Sequence, residues 1–390
     1  MLSAIHLAKD HEPKRLPTQP EIARPDEFLE KFDQTGLFYD VFRDRSAKRV
    51  WLIGPVPKNL EKHLRAAHAT GNGSGLTRRL KFVKCQTACI AYVDLPETDN
   101  HLTLEFAGKK YEARIGENRC EDLAGHRVVF CLNNNNRLKW IQDWAKFYQK
   151  EHGATAVVVF DNGSNAYSKK ELELAISAVQ GIEKVLVVGW PYKFGANDRV
   201  GQQNGLSVFV RFAQPVMYFE MYLRYGQTAS SLLNVDIDEL LVSDNRESIF
   251  ELAEKRFFGC VKFERYLVEN VAKNKLQDEF SFVDFCVRQK AKLGRQDSFK
   301  KWAFAPSKVK SVKRIALPNT HWIRGIINPY QTAKQMKCFH FAGIGTGWQA
   351  QVYDNKWRVW QLKRHITGEF DPELHIEDQR LKRILGETLL

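Results

Sequence analysis

Between residues 37 and 115 apolar and polar positions alternate in short runs: Arg49 to Ile53, Leu80 to Val83, Cys89 to Val93, Leu102 to Phe106 and Tyr111 to Ile115. Runs of this length predict strands, and Gly71-Asn72-Gly73 and Gly108 supply turns between them. A small β-sandwich-like domain is expected there. Near Asp122 to His126 the period changes, and strands then alternate with helices. Arg127 to Leu132 reads as a strand, and Leu138, Ile141, Ala145 and Tyr148 recur at helical spacing until Gly153, a residue suited to a left-handed C-cap. Ala156 to Phe160 is the next strand, and Ser168 with Glu171 has the spacing of a capping box for a helix running to about Gln180. Val185 to Val188 is a third strand, Ser207 to Tyr225 reads as helical around Pro215, and Leu232 to Val235 is a buried strand running into Asp236-Ile237-Asp238-Glu239.

The fold class expected is therefore α/β with a mainly parallel sheet, preceded by the small β-domain. The divisions expected are an N-terminal extension over 1–36, the β-rich domain over 37–122, the α/β domain over 123–365 and a helical tail over 366–390. No repeat of 20 to 50 residues marks a solenoid or propeller.

Composition narrows the class. With 390 residues, 44% of them hydrophobic and 12% aromatic, the chain has enough apolar surface for two cores. Its apolar runs fall far short of the ~20 residues that cross a bilayer. The stretch from Met1 to Arg15 carries Lys9, Asp10, Glu12 and Lys14 and no continuous apolar core for a signal peptide. The seven cysteines are scattered without a Cys-x-x-Cys pair, so reduced thiols in a cytoplasmic setting are expected. A net charge of +13 favours a polyanionic neighbour such as a phosphorylated substrate or an anionic membrane touched peripherally. Nucleic acid is not expected, because no zinc finger, RNP-like strand or compact basic block is present.

Chemistry concentrates at Asp236 and Asp238. In an extended chain residues i and i+2 face the same way, so both carboxylates can meet one point at a strand end. Hard cations such as Mn²⁺ or Mg²⁺ take oxygen ligands and bridge carboxylates to phosphates. The plain alternative is a solvated strand end or a helix cap. The motif follows a buried strand, and open α/β sheets bind ligands at their carboxyl edges.

Several stretches together resemble one family. They are Val128-Val129-Phe130 with Trp140-Ile141, Val157 to Ser164 (Val-Val-Val-Phe-Asp-Asn-Gly-Ser), and Asn234 to Leu241 around Asp236-Ile237-Asp238-Glu239. Lys301 to Val309, with its Lys-x-x-x-x-Pro-x-x-Val spacing, and His340-Phe341 add to them. This set resembles the GT-A-fold glycosyltransferases of family ninety-two, once called domain of unknown function twenty-three, and their bacterial relatives. The resemblance spans about residues 125 to 365; Phe341 stands where the family tends to show tyrosine. It implies a GT-A-like domain, a nucleotide-sugar donor expected to be UDP-linked, Mn²⁺ or Mg²⁺, and a glycan or lipid-linked saccharide acceptor. It also implies that Asp236 and Asp238 hold metal and diphosphate, and that Asp161 with Asn133, Asn134 and Asn135 lies near the nucleoside.

Other residues have two readings each. His340 either completes the metal shell or packs between Phe339 and Phe341, and His321 is structural or faces the acceptor. Glu239 is expected to be structural. Glu264 is the candidate base for the acceptor proton, with Asp284 behind it; the plain reading of both is an ion-paired or surface charge. Gly343-Ile344-Gly345-Thr346-Gly347 lacks the spacing of a dinucleotide fingerprint and reads as a loop over donor phosphates or a plain turn. Within it Trp348 is the ring expected to stack on the donor, whereas Trp302, Trp322, Trp357 and Trp360 are expected mostly in cores. The competing functions are a metal-dependent nucleotidyl- or phosphotransferase using the same aspartates and an inactive carbohydrate-binding relative.

Overall fold

The computed structural model describes residues 2–18, 21, 24, 28–196, 210–272, 280–290, 297–312, 315–327, 332–345 and 369–390. The chain forms two compact units: Met1–Asp122 with Pro191–Gln227 and Leu317–Asn319, and Leu123–Trp190 with Thr228–Ala316 and Thr320–Leu390.

The first unit contains two four-stranded antiparallel sheets. One pairs Lys109–Arg114, His101–Phe106, His68–Gly71 and Thr77–Arg79; the other pairs Asp40–Arg43, Arg49–Gly54, Cys89–Asp94 and Lys81–Val83. In His101–Phe106 every second side chain is buried, and Leu102, Leu104 and Phe106 join Val41, Leu52, Ala69 and Ala91 in a single core. Pro191–Gln227 is a later stretch of chain that packs into this unit. Its helix Ala213–Glu220 accepts Pro215 in the first turn, where no intrahelical N–H is lost, and passes into a π-helical turn, Met221–Gly226. The turn delivers Arg224 to the buried carboxylates of Asp40 and Glu220.

The second unit is mixed α/β around one eight-stranded sheet. Its strands are β1 (Arg127–Asn133), β2 (Ala156–Asp161), β3 (Lys184–Gly189), β4 (Ser231–Asn234), β5 (Glu239–Ser243), β6 (Cys260–Val268), β7 (Asp297–Phe304) and β8 (Thr332–Phe341), in the order β3-β2-β1-β4-β7-β6-β8-β5. Four of the pairings are parallel and three antiparallel. Helix α1 (Leu138–His152) ends at Gly153 with φ 70°, the left-handed cap that only glycine adopts without cost. Helix α2 (Lys169–Ser177) begins with the Ser168–Glu171 capping box, and stops ahead of Gln180 because Ala178 to Gly181 already turn. Helix α3 (Ile249–Lys255) and helix α4 (Gln379–Leu389) complete the described layers.

Strands β1 and β4 are parallel neighbours, yet β1 leads outward to β2 and β3 on one side while β4 continues to β7 on the other. Their carboxyl ends therefore flank a topological switch point, where open α/β sheets leave a crevice. All seven cysteines are free thiols. Among the described residues no helix is long and apolar enough to cross a membrane.

Candidate functional site

Strand β4 stops at Asn234, and Asp236 to Glu239 form a turn closed by the Glu239 N–H donating to the Asp236 carbonyl at 3.1 Å. The motif is thus a turn and not the extended chain expected from the Asp-x-Asp spacing. The reason is Glu239, which begins β5 fully buried: its carboxylate accepts from the Asp236 N–H at 2.9 Å and pairs with Lys301 at 3.1 Å and Arg265 at 3.1 Å. Folding the turn back onto that buried charge satisfies three groups at once. Helix α1 holds the same turn from below. Trp144 Nε1 donates to the Asp236 carbonyl at 3.0 Å, and Tyr148 Oη donates to the Glu239 carbonyl at 2.9 Å while accepting from the Leu241 N–H.

The turn presents the two aspartates differently. Asp236 Oδ2 lies 2.7 Å from Lys301 Nζ, an ammonium only 1% exposed on β7. Asp238 Oδ2 lies 3.0 Å from His340 Nε2. Register brings that histidine there: β5 and β8 are antiparallel with Glu239 opposite His340, and the Phe341 N–H donates to the Asp238 carbonyl at 2.8 Å. Both carboxylates keep an exposed side, 34% for Asp236 and 28% for Asp238.

This donor set can be tested against a divalent cation. Two ligands about 2.1 Å from one ion and at right angles stand about 3 Å apart, which is the spacing of Asp238 Oδ2 and His340 Nε2. Among the described residues no three His, Cys, Asp or Glu side chains are placed to enclose a metal ion. A metal here fits as an open site, with Asp238 and His340 as protein ligands, Asp236 beside them, and phosphate oxygens and water completing the shell. Lys301 already offsets part of the negative charge of the turn.

A second cluster lies at the ends of β1 and β2, where Asn133 and Asp161 are register partners. Asn133 Nδ2 reaches Asp161 Oδ1 at 3.2 Å, Ser164 Oγ at 3.3 Å and Tyr167 Oη at 3.0 Å, and Asn136 Nδ2 donates to Asn133 Oδ1 at 3.0 Å. Asn134 Nδ2 donates to the Asn162 carbonyl at 2.8 Å; Asn135, at φ 54°, accepts the N–H groups of Asn165 and Ala166 on its Oδ1. Asn133 and Asp161 are buried, so they shape the two loops, while Asn134 and Asn135 are half-buried along the rim.

Glu264 is placed apart from the aspartates. On β6 it stands opposite Lys300, 3.9 Å away, and alternation puts both on the sheet face opposite Lys301. Asp284 accepts the Ser281 N–H at 2.8 Å within a short 3-10 turn. His321 packs beside Lys301; burial and that positive neighbour push it down to about 4, and its Nδ1 lies 3.0 Å from the Lys300 carbonyl. Trp302 is core, against Phe130 and Phe304. Trp348, Trp357 and Trp360 lie outside the described residues. Sequence reasoning passed over Trp144, Tyr148, Arg265 and the site role of Lys301. The one available signal was the first position of the Lys-x-x-x-x-Pro-x-x-Val stretch.

No protein-family model matches the chain, and no curated protein matches it. Solved structures give slight likenesses. One is a galactosyltransferase, LgtC, in complex with donor and acceptor sugar analogs, at TM-score 0.28 and 14% identity over 67% of this chain and 96% of that one. Another is an active-site mutant of LgtC, at TM-score 0.27 and 14% identity over 63% of this chain and 98% of that one. TM-scores this low do not establish a common fold, and the functional reading rests on the side chains themselves.

Proposed function

We propose that this chain is a glycosyltransferase that binds a nucleotide sugar at the carboxyl ends of β1, β2 and β4 and passes the sugar to an acceptor hydroxyl. One observation carries the reading. At the switch point of an α/β sheet, a rigid turn presents Asp236 and Asp238 with His340 and a buried Lys301, a group of charges suited to a metal-bridged diphosphate. The resemblance of the stretches around Asp161 and Asp236 to family ninety-two favours the sugar rather than a phosphoryl group as the part transferred.

In this reading Asp238 and His340 would hold Mn²⁺ or Mg²⁺ beside the donor diphosphate, where such an ion would supply Lewis-acid stabilisation of negative charge. Lys301, fixed between Asp236 and Glu239, keeps the turn in one geometry and offsets its charge. Asn134 and Asn135, held by backbone groups of the facing loop, line the nucleoside end, and Asn133 with Asp161 braces them. A UDP-linked donor and a glycan or lipid-linked saccharide acceptor complete the proposal. Trp348 remains the proposed stacking ring; Glu264, turned to the other face of the sheet beside Lys300, is not assigned as the base.

A thermal-shift screen of nucleotide sugars with and without Mn²⁺ tests this, because a ligand that binds only the native state raises Tm. The expected outcome is a metal-dependent shift with one nucleotide class and release of nucleoside diphosphate on addition of acceptor. Asp236→Asn and Asp238→Asn should each lower turnover by about 10²-fold or more while Tm without ligand stays close to the parent value. Full turnover in both variants, or release of pyrophosphate instead, overturns the proposal.

A further inference from the structure

We propose that an exposed face formed by Phe257, Lys310, Val312 and Ile327 docks on an anionic lipid surface. Phe257 is 68% exposed, Val312 64% and Ile327 43%, unusual values for large apolar side chains. The backbone gathers them. The Ile327 N–H donates to the Lys310 carbonyl and the Val312 N–H to the Gly325 carbonyl, each at 2.9 Å, flanking the antiparallel bridge between Ser311 and Ile326. These bonds set residue 310 beside 327 and residue 312 beside 325, so Lys310, Val312 and Ile327 are gathered around Gly325. Lys310 Nζ lies 4.3 Å from the Phe257 ring, which adds that ring to the same patch. Gly259, at φ 58°, lets the loop carrying Phe257 close against Lys308, where a Cβ would come within 2.7 Å of the Lys308 Cβ.

Charge selects the occupant. Lys308 and Lys310 are exposed at the patch, and between Asp297 and Asp354 the chain carries no acidic residue. A face that meets another protein usually mixes both signs around its apolar centre, whereas exposed apolar side chains beside exposed lysines match the boundary between acyl chains and anionic headgroups. Each lysine adds an attraction that salt screens, and the apolar side chains add a share that salt does not weaken. The inference is independent of the nucleotide-sugar reading, since none of these residues belongs to the aspartate site.

The test is sedimentation of the full chain with vesicles of phosphatidylcholine alone or mixed with phosphatidylserine, at low and high salt. The parent protein should pellet with the mixed vesicles, less at high salt, and remain in the supernatant with phosphatidylcholine alone. Phe257→Ser with Val312→Ser, and separately Lys308→Glu with Lys310→Glu, should each weaken binding about tenfold or more. Only the lysine pair should flatten the salt dependence. Circular dichroism of both variants should match the parent. Recovery of the parent in the supernatant under all conditions overturns the proposal, as does undiminished pelleting of both variants. A change in molar mass by light scattering in the serine variant, with vesicle binding intact, assigns the face to a second copy of the chain instead.

Discussion

Lys301 links the chemistry of the site to its stability. Its ammonium sits between Asp236 and Glu239, and Glu239 is itself fully buried with Arg265 as its other partner. Removing Lys301 leaves the buried Glu239 carboxylate with Arg265 but without its second cation, and breaking such a buried pair costs up to about 3–5 kcal/mol. Lys301→Ala should therefore lower the urea midpoint by that equivalent, whereas Asp236→Asn, at a half-exposed position, should cost little stability and mainly activity. Equal stability losses in the two variants would show that Lys301 is not held as described. At this scale the two aspartates were legible because Asp-x-Asp after an apolar strand is a local pattern. Lys301 was not, because it lies 65 residues further on and reaches Asp236 only through sheet order.

At the scale of elements, α1 is a platform as much as a layer. Trp144 and Tyr148 hold the aspartate turn, and His152 ties the far end: its Nε2–H donates to the Leu241 carbonyl at 2.6 Å and its Nδ1 accepts from the Ile249 N–H at 3.2 Å. With both nitrogens used in this way the ring is neutral, and full burial pushes it down to about 4. An unfolded histidine titrates near 6.5, so the unfolded chain takes up a proton that the folded chain refuses. The stabilisation is complete above about pH 6.5, is lost as pH falls toward about 4, and changes no further below that. The full difference is on the order of 3 kcal/mol. His152→Gln keeps a donor and an acceptor but cannot titrate, so urea unfolding between pH 7 and 4 should show a smaller slope in that variant than in the parent. An unchanged slope refutes this role. The platform itself was partly legible: helical spacing and Gly153 located α1, and Ser168 with Glu171 located the start of α2. Tyr148 read as an ordinary apolar-face residue, because periodicity reports which side of a helix is buried and not what its hydroxyl meets.

At the scale of the whole chain, the first unit is built from separate stretches of sequence. Pro191–Gln227 belongs to it, with Tyr192 stacked on Tyr39 at 3.8 Å and donating from its hydroxyl to the Tyr39 carbonyl, and with Arg224 closing on Asp40 and Glu220. A fragment ending at Asp122 loses these partners and leaves the buried Asp40 without its guanidinium. Such a fragment, 1–122, is expected to be insoluble or to lack a cooperative thermal transition, and adding the 191–227 segment by fusion should restore one. A sharp transition in the bare fragment would show that the first unit does not need the later segment. Hydrophobic pattern located the strands of 37–115 but assigned 191–227 to the layer around it in sequence, because pattern records burial and not the partner that provides it.

Local order is written along this chain. Alternation in the β-rich segment, the strand–helix succession after Arg127, the glycine cap, the capping box and the paired aspartates all follow from interactions within a few residues, and the sequence by itself determined them. Tertiary structure alone decided what depends on strand order and register. It bent the Asp236–Glu239 segment into a turn around buried Glu239, set His340 against Asp238, buried Lys301 under both acids, and turned Glu264 to the other face of the sheet. The charged partners that fix those outcomes, from Arg265 on Glu239 to His340 on Asp238, lie 26 to 102 positions away, and their energies come from desolvated charges finding partners, a condition that exists only once the sheet has formed.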